Sequence, residues 1–227
     1  MFRLQGRALI FGSRGGLGGA FYNYLSDKLG CENVTSINRS DHDFEITDEK
    51  NLEKIASKTC GPFQLIINAT GVLDTSGNGP EKTINSIRKT SMIDIMSINA
   101  VGPALLLKFF SGKLDRDAPS IFVNLSARVG SIEDNKMGGW ISYRASKAAL
   151  NQIIKTASIE IQRKNKNAIC IGLHPGTVKT QFTKNYQNRV GSISAASSVS
   201  MLISVIKNIK FSDNGKVFAY DGSVIPW

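Results

Sequence analysis

Seven short runs rich in apolar and β-branched residues punctuate the chain: "RALIFG" (7–12), "NVTSIN" (33–38), "HDFEI" (42–46), "FQLIIN" (63–68), "SIFVNL" (120–125), "AICIGL" (168–173) and "KVFAY" (216–220). Most are separated by longer segments of helical pattern. Runs that are apolar on both faces have no solvent side, so they read as strands of a parallel sheet covered by helices. Right-handed crossovers then wind the chain into an α/β, Rossmann-like, doubly wound sheet of about seven strands, with helices on both faces. No linker or internal repeat interrupts the pattern, so residues 1–227 read as one domain. A domain of this size buries a full core without metals or disulfides. One helix runs from about Gly16 to Leu29, and "DEKNLEKIASK" sets Leu52, Ile55 and Ala56 on one face behind a Thr47 cap. A long helix within 86–113 is apolar at Met92, Ile95, Met96, Ile98, Leu105 and Leu106, and another lies around 194–209.

Composition removes several classes. Hydrophobic residues make up 41% and charged residues 20%, as in ordinary soluble globular proteins. No apolar run approaches the ~18 residues of a membrane span. The start, "MFRLQGRALIFGS", is too short for a secretory core and has no small-residue cleavage site, which points to the cytoplasm. Cys31, Cys60 and Cys170 are far apart, and His42 and His174 are the two histidines. Without a C-x-x-C, no metal site or disulfide framework is expected, and the cysteines read as small packed residues. The net charge of +10 comes from 28 basic and 18 acidic residues. The basic residues are scattered, with no arm or aromatic stripe, so no nucleic-acid partner is expected.

The first run leads directly into "GSRGGLGGA", with glycines at 12, 15, 16, 18 and 19. The spacing G-x-G-x-x-G does not fit, since counting from Gly16 and Gly18 places Phe21 third, and no Gly-Lys-Ser/Thr follows for a Walker A loop. The spacing G-x-x-x-G-x-G at Gly12, Gly16 and Gly18 does fit, with Ser13, Arg14 and Leu17 in the same loop. Residues without side chains let the backbone approach a pyrophosphate, whose charge sits at the positive end of the following helix. Strand two ends in "SINRS", where NAD-preferring folds usually carry an acid for the ribose 2′-hydroxyl. Asn38 and Arg39 stand there instead. Arg39 suits a 2′-phosphate in bidentate fashion, and Arg14 is placed to reach the same group. NADP(H) is therefore favoured, with NAD(H) left open.

In an open α/β sheet the ligand crevice lies beyond the carboxyl ends of the strands. Asn68 and Gly71 in "NATG", Asn99, Ser126, Tyr143 and "HPGTVKT" (174–180) all converge there in this topology. Tyr143 and Lys147 in "YRASK" are four apart on a helix and share a face. A neighbouring ammonium favours the phenolate and lowers the tyrosine pKa toward the range of a general acid or base.

Together, "GSRGGLG", "NATG", "INAVGP", "YRASKAALN" and "HPGTVKT" closely resemble the short-chain dehydrogenase/reductase family across essentially the whole chain. The strings "GPEKT", "LSARVGS", "GGWISYRASKAALN" and "DGSVIPW" resemble its subgroup named for the C-factor cell-signalling protein. The resemblance implies an oxidoreductase that interconverts a carbonyl and an alcohol by hydride transfer. It makes Tyr143 the general acid, Lys147 the group that lowers its pKa and holds the nicotinamide ribose, and Asn99 part of a proton relay. It gives the pyrophosphate to Gly12, Gly16 and Gly18, the adenosine ribose to Asn68 and Ala69, and the adenine edge to Glu45 and Ile46. Pro175, Gly176, Thr177, Val178 and Thr180 would frame the nicotinamide. One position departs from the pattern. The family's serine falls on Ala127 when "SARVG" is aligned on Gly130, leaving Ser126 favoured, Ser131 second, and no serine as the third possibility. The loops 73–90 and 181–194 are expected to close over the crevice, with Trp140 and Ile141 either an apolar wall or packed against a neighbouring subunit. A small carbonyl or alcohol is the expected substrate. A homodimer or homotetramer is the expected assembly, with Leu105, Leu106, Phe109, Phe110, Ala148, Ala149 and Ile153 as its surface. The alternative is a dinucleotide-binding signalling protein of C-factor type with little catalysis.

Overall fold

The computed structural model describes residues 2–184 and 191–227. Six strands form one parallel sheet: β1 (Ala8–Phe11), β2 (Val34–Ile37), β3 (Leu65–Asn68), β4 (Ser120–Leu125), β5 (Ala168–His174) and β6 (Val217–Ala219), in the order β2-β1-β3-β4-β5-β6. The chain goes out to one side of β1 for β2 and returns to the other side for β3, so the switch point lies at the ends of β1 and β3. There Phe11 is in register with both Ile37 and Asn68.

Side chains alternate across a strand, and each face of this sheet has its own core. Ala8 and Ile10 of β1 join Leu65, Ile67, Ile121 and Val123 on one face. There Phe21 and Leu25 of α1 (Gly16–Leu29) and Val199, Leu202 and Ile203 of α7 (Ala195–Asn208) cover them. Leu9 and Phe11 join Ile66, Phe122 and Cys170 on the other face. Leu52 of α3 (Glu49–Lys58), Leu106 and Phe110 of α5 (Gly102–Phe110), and Leu150 and Ile154 of α6 (Ile141–Lys164) cover that side. This two-sided burial is what the uninterrupted apolar runs required.

Four expectations change. The run 42–46 is not a strand: α2 (Arg39–His42), capped by the Asn38 side chain, is followed by Asp43 in the left-handed region. The alternation there is real, since Phe44 and Ile46 are buried, but the Glu45 amide goes to Asn51 Oδ1 at 3.0 Å instead of a neighbouring strand. Asp48, not Thr47, caps α3 through the Asn51 amide. Cys170 alone of the cysteines is packed, its thiol pushed up to about 12 by burial, whereas Cys31 and Cys60 are exposed. Finally, Lys89–Lys113 is one continuous helix that, by length and composition, is long and apolar enough to cross a membrane, although no such run was expected. It is built from α4 (Lys89–Met96), a π-helical segment Ser97–Val101, α5 and a closing 3-10 turn Ser111–Lys113, and in this fold Ile95, Leu106, Leu107 and Phe110 are buried in it.

Candidate active site

The glycine loop joins β1 to α1 at the switch point. Gly12 turns with φ +82°, and its amide bonds to Ile37 O at 2.9 Å. A Cβ on Gly18 would stand 2.1 Å from Gly12 O, and one on Gly16 would stand 2.5 Å from Thr180 Cγ2, so neither position accepts a side chain. Gly15 caps α1 without a side-chain hydrogen bond, which leaves the helix amides of the first turn facing outward as an anion site. Leu17 in the same loop is half-buried and packs against the core. This cradle fits a dinucleotide pyrophosphate.

Beside it, Asn38 is buried and organises a polar cluster. Its Nδ2 donates to Ser13 Oγ at 3.3 Å and Asp41 Oδ2 at 2.9 Å, and its Oδ1 accepts from the Asp41 amide at 3.0 Å. Arg14 pairs with Asp41 at 3.0 Å and Arg39 with Glu45 at 3.1 Å, both on the surface. Hydrogen bonds from Asn38, Arg14 and Ser40 hold the Asp41 carboxyl below its usual range. The expectation of no acid here is thus corrected: Asp41 enters from the next turn. Ile46 is buried against α5, where a Cβ on Gly102 would meet it at 2.6 Å.

Across the switch point, Asn68 Oδ1 accepts from the Thr70 amide at 3.1 Å, and its Nδ2 donates to Asn124 Oδ1 at 3.0 Å. The Ala69 amide bonds to Phe11 O at 3.0 Å. Gly71, at φ +152°, is the meeting point of the site: a Cβ there would stand 3.2 Å from Asn99 Oδ1 and 3.6 Å from Lys147 Nζ. Asn99 lies in the π-helical segment, a geometry often found at functional sites. Its amide clamps Val72, accepting from N and donating to O at 2.8 Å each, and also donates to Ser146 Oγ at 3.1 Å.

Tyr143 and Lys147 are buried in the first turns of α6. Lys147 Nζ donates to Leu125 O at 2.9 Å and stands 5.8 Å from the Tyr143 ring centroid. Burial lowers the Lys147 pKa from 10.5 to about 8 and raises that of Tyr143. The expected lowering of the tyrosine by Lys147 is therefore outweighed by burial. Trp140 and Phe182 flank the phenol, with centroids at 6.3 and 6.1 Å.

The serine expectation is corrected. Ser126 Oγ donates to Asn151 Oδ1 at 2.6 Å, and it is Ala127 that packs with Tyr143, Leu73, Val129 and Trp140. Alternation along the extended chain turns the two side chains to opposite sides. Ser131 Oγ donates to Trp227 O at 3.1 Å. The segment after β5 is brought against the glycine loop through Thr180, whose side chain also forms a capping box over Gln181–Thr183. Gly176 turns with φ +78°, Pro175 O accepts from Ser198 Oγ at 2.8 Å, Thr177 O accepts from the Ile193 amide at 3.0 Å, and Val178 is buried. Of the second closing loop, residues 185–190 lie outside the described residues. Sequence reasoning missed Asp41, and it quoted Glu81 within "GPEKT" without a role; Glu81 reaches the start of α6 from the loop 73–90.

A sequence model described as short chain dehydrogenase matches residues 41–191. The chain is 28% identical over 177 residues to C-signal of Myxococcus xanthus, covering 78% of this chain and 100% of that protein. It is 31% identical over 208 residues to an uncharacterized oxidoreductase of Saccharomyces cerevisiae, covering 85% and 79%. Among solved structures, NADPH-bound carbonyl reductase from chicken fatty liver superimposes with a TM-score of 0.82 at 24% identity, over 99% of this chain and 100% of that one. That likeness shows a shared fold.

Proposed function

This chain belongs to the short-chain dehydrogenase family, and on that premise we propose that it is an NADP(H)-dependent oxidoreductase that interconverts a small carbonyl compound and its alcohol. The observation that carries the reading is the buried Tyr143–Lys147 pair, brought to Asn99 around Gly71 at the switch point. Burying an ammonium is costly even with a hydrogen bond to Leu125 O, and buried groups whose pKa values are shifted this far gather at functional sites.

When bound, the dinucleotide supplies or accepts the hydride. Gly12, Gly16, Gly18 and the start of α1 hold its pyrophosphate, and Asn68, Ala69 and the 175–180 segment border its two riboses and nicotinamide. Arg14 and Arg39 hold the 2′-phosphate, which must compete with Asp41 and Glu45 for them. The NADPH bound to the similarly folded carbonyl reductase from chicken fatty liver supports this choice of cofactor. The Tyr143 hydroxyl donates its proton to the carbonyl oxygen. Its raised pKa keeps the phenol protonated at neutral pH, as a donor requires. The Lys147 ammonium, still mostly charged at neutral pH, stabilises the phenolate that forms, and Leu125 O aims it. Asn99 holds the Val72 backbone and Ser146 in place around them.

The apolar ring of Trp140, Phe182, Leu73 and Val129 suits an uncharged substrate. A homo-oligomer remains part of the reading, but its surface shrinks: Leu106 and Phe110 are core residues, leaving half-buried Leu105, Phe109, Ala148, Ala149 and Ile153. A second reading, a C-signal-like protein that binds the dinucleotide with little turnover, is favoured by Ala127 at the serine position. Calorimetric titration tests the cofactor: NADPH should bind at least about tenfold more tightly than NADH, and Arg39→Ala should remove most of that preference. Equal affinities in the wild type would refute it.

A further inference from the structure

The helix that carries the proton donor begins without a cap of its own. Its first residues follow Gly138, Gly139 and Trp140, three successive positions in the left-handed region with φ of 64°, 68° and 54°. A tryptophan there is strained, and such geometry persists only where the surroundings hold it. Trp140, at the N-cap, makes no side-chain cap hydrogen bond, and an indole has no acceptor to offer. The amides of the first helical turn therefore need acceptors from elsewhere.

Two side chains hold this entry. Arg144 reaches back, donating from Nε to Gly139 O at 2.9 Å and from Nη2 to Gly138 O at 3.1 Å. Glu81 arrives from the other side, 61 residues away in sequence from Ser142. Its backbone carbonyl accepts from the Trp140 amide at 2.5 Å. One carboxylate oxygen accepts from the Ser142 amide at 3.4 Å, and the other accepts from the Ser142 hydroxyl, which is fully buried. A carboxylate is thereby placed at the positive end of a 24-residue helix.

Ser142 directly precedes Tyr143, so fixing it fixes the rotation of the turn that presents the phenol. A second tether completes the arrangement: Ser146 Oγ donates to Tyr143 O at 2.8 Å and accepts from Asn99. Glu81 itself is delivered by a built loop. Asp74 accepts from the Ser76 and Gly79 amides at 3.0 Å each, and Pro80 is buried.

We propose that Glu81 is a positioning residue for Tyr143: its carboxylate, carried on the 73–90 loop, caps α6 and ties the placement of that loop to the placement of the proton donor. This rests on the reading of Tyr143 as donor. The loop expected to close over the substrate and the phenol that protonates it then move as one unit.

The test compares Glu81→Ala, Glu81→Gln, Ser142→Ala and the Ala/Ala double variant with the wild type and Tyr143→Phe, using NADPH and 9,10-phenanthrenequinone. Glu81→Ala should lower kcat by about tenfold while the NADPH dissociation constant moves less than about twofold. Glu81→Gln, which keeps an acceptor for Ser142, should recover most of kcat. The double variant should be no worse than Glu81→Ala alone, since the two residues act through one contact. Amide exchange of the peptide spanning 138–147 should quicken in Glu81→Ala and not in Glu81→Gln. If Glu81→Ala keeps wild-type kcat while Tyr143→Phe is inactive, the positioning role is overturned and the function stands. If kcat and NADPH affinity fall together without rescue by Gln, Glu81 is only structural and the proposal also fails. Should Glu81→Ala not fold, Ser142→Ala decides: unchanged kcat overturns the proposal. Wild-type turnover by Tyr143→Phe instead overturns the reading beneath it.

Discussion

Lys147→Met should make the protein more stable and less active at once. Lys147 is buried, and its ammonium has one hydrogen-bond partner among the described residues, Leu125 O at 2.9 Å, beside the Tyr143 ring at 5.8 Å. Its pKa falls from 10.5 to about 8 because burial penalises the charge. That gap corresponds to about 3 kcal/mol, which the folded state bears whenever the amine is protonated in both states. Methionine is one atom shorter and removes the charge, but leaves the Leu125 carbonyl without its donor, costing about 1–2 kcal/mol. The net expectation near neutral pH is a gain of about 1–2 kcal/mol, or a Tm higher by about 2–8 °C for a chain of this size. The pH dependence has a definite sign. Between pH 8 and 10.5 the unfolded chain keeps a proton that the folded chain has lost, so wild-type stability rises through this window. Lys147→Met lacks that rise, so the two proteins should draw level at about pH 9, with the wild type the more stable above it. Tyr143 does not interfere below pH 10.0, because its raised folded pKa contributes stability that is full there and declines only above it. Urea unfolding at neutral pH and at about pH 9, alongside turnover, measures both effects. A Lys147→Met protein no more stable than wild type at neutral pH, or a difference independent of pH, would refute the reasoning.

Two other substitutions probe the site. Ala127→Ser puts a hydroxyl where the methyl packs with Tyr143, and should raise kcat for carbonyl reduction by about tenfold or more by adding a donor to the carbonyl oxygen; unchanged kcat in a folded variant would show that the carbonyl does not sit there. Asp41→Asn releases Arg14 from its carboxylate and should tighten NADPH binding several-fold in a titration, with little change for NADH. Weaker NADPH binding would instead make Asp41 a support for the phosphate site.

The sheet was legible because a strand covered on both faces must be apolar at consecutive positions, as in Ala8–Phe11 and Leu65–Asn68. Tyr143, Lys147, Asn99 and Gly71 were legible through topology, which brings the ends of neighbouring parallel strands to one crevice. What failed depended on direction or on distant partners. The run 42–46 has the alternation of a strand, but the Asn51 side chain takes over its backbone bonds, accepting from the Glu45 amide and donating to Asp43 O. Ser126 and Ala127 are adjacent, and only the pleat decides which meets Tyr143. Leu106 and Phe110 looked as available as Leu105 and Phe109, yet helical rotation turns the first pair into the core. Glu81 caps a helix from 61 residues away, a contact that leaves no trace in local spacing.

The most direct test of the account is turnover by Tyr143→Phe with NADPH bound. Titration should give the wild-type affinity for NADPH if the phenol hydroxyl acts on the carbonyl and not on the phosphates. Turnover over a carbonyl panel should fall by about a hundredfold to ten-thousandfold, the usual share of a general acid. A Tyr143→Phe protein that binds NADPH and reduces carbonyls at the wild-type rate would contradict the assignment of Tyr143 as proton donor.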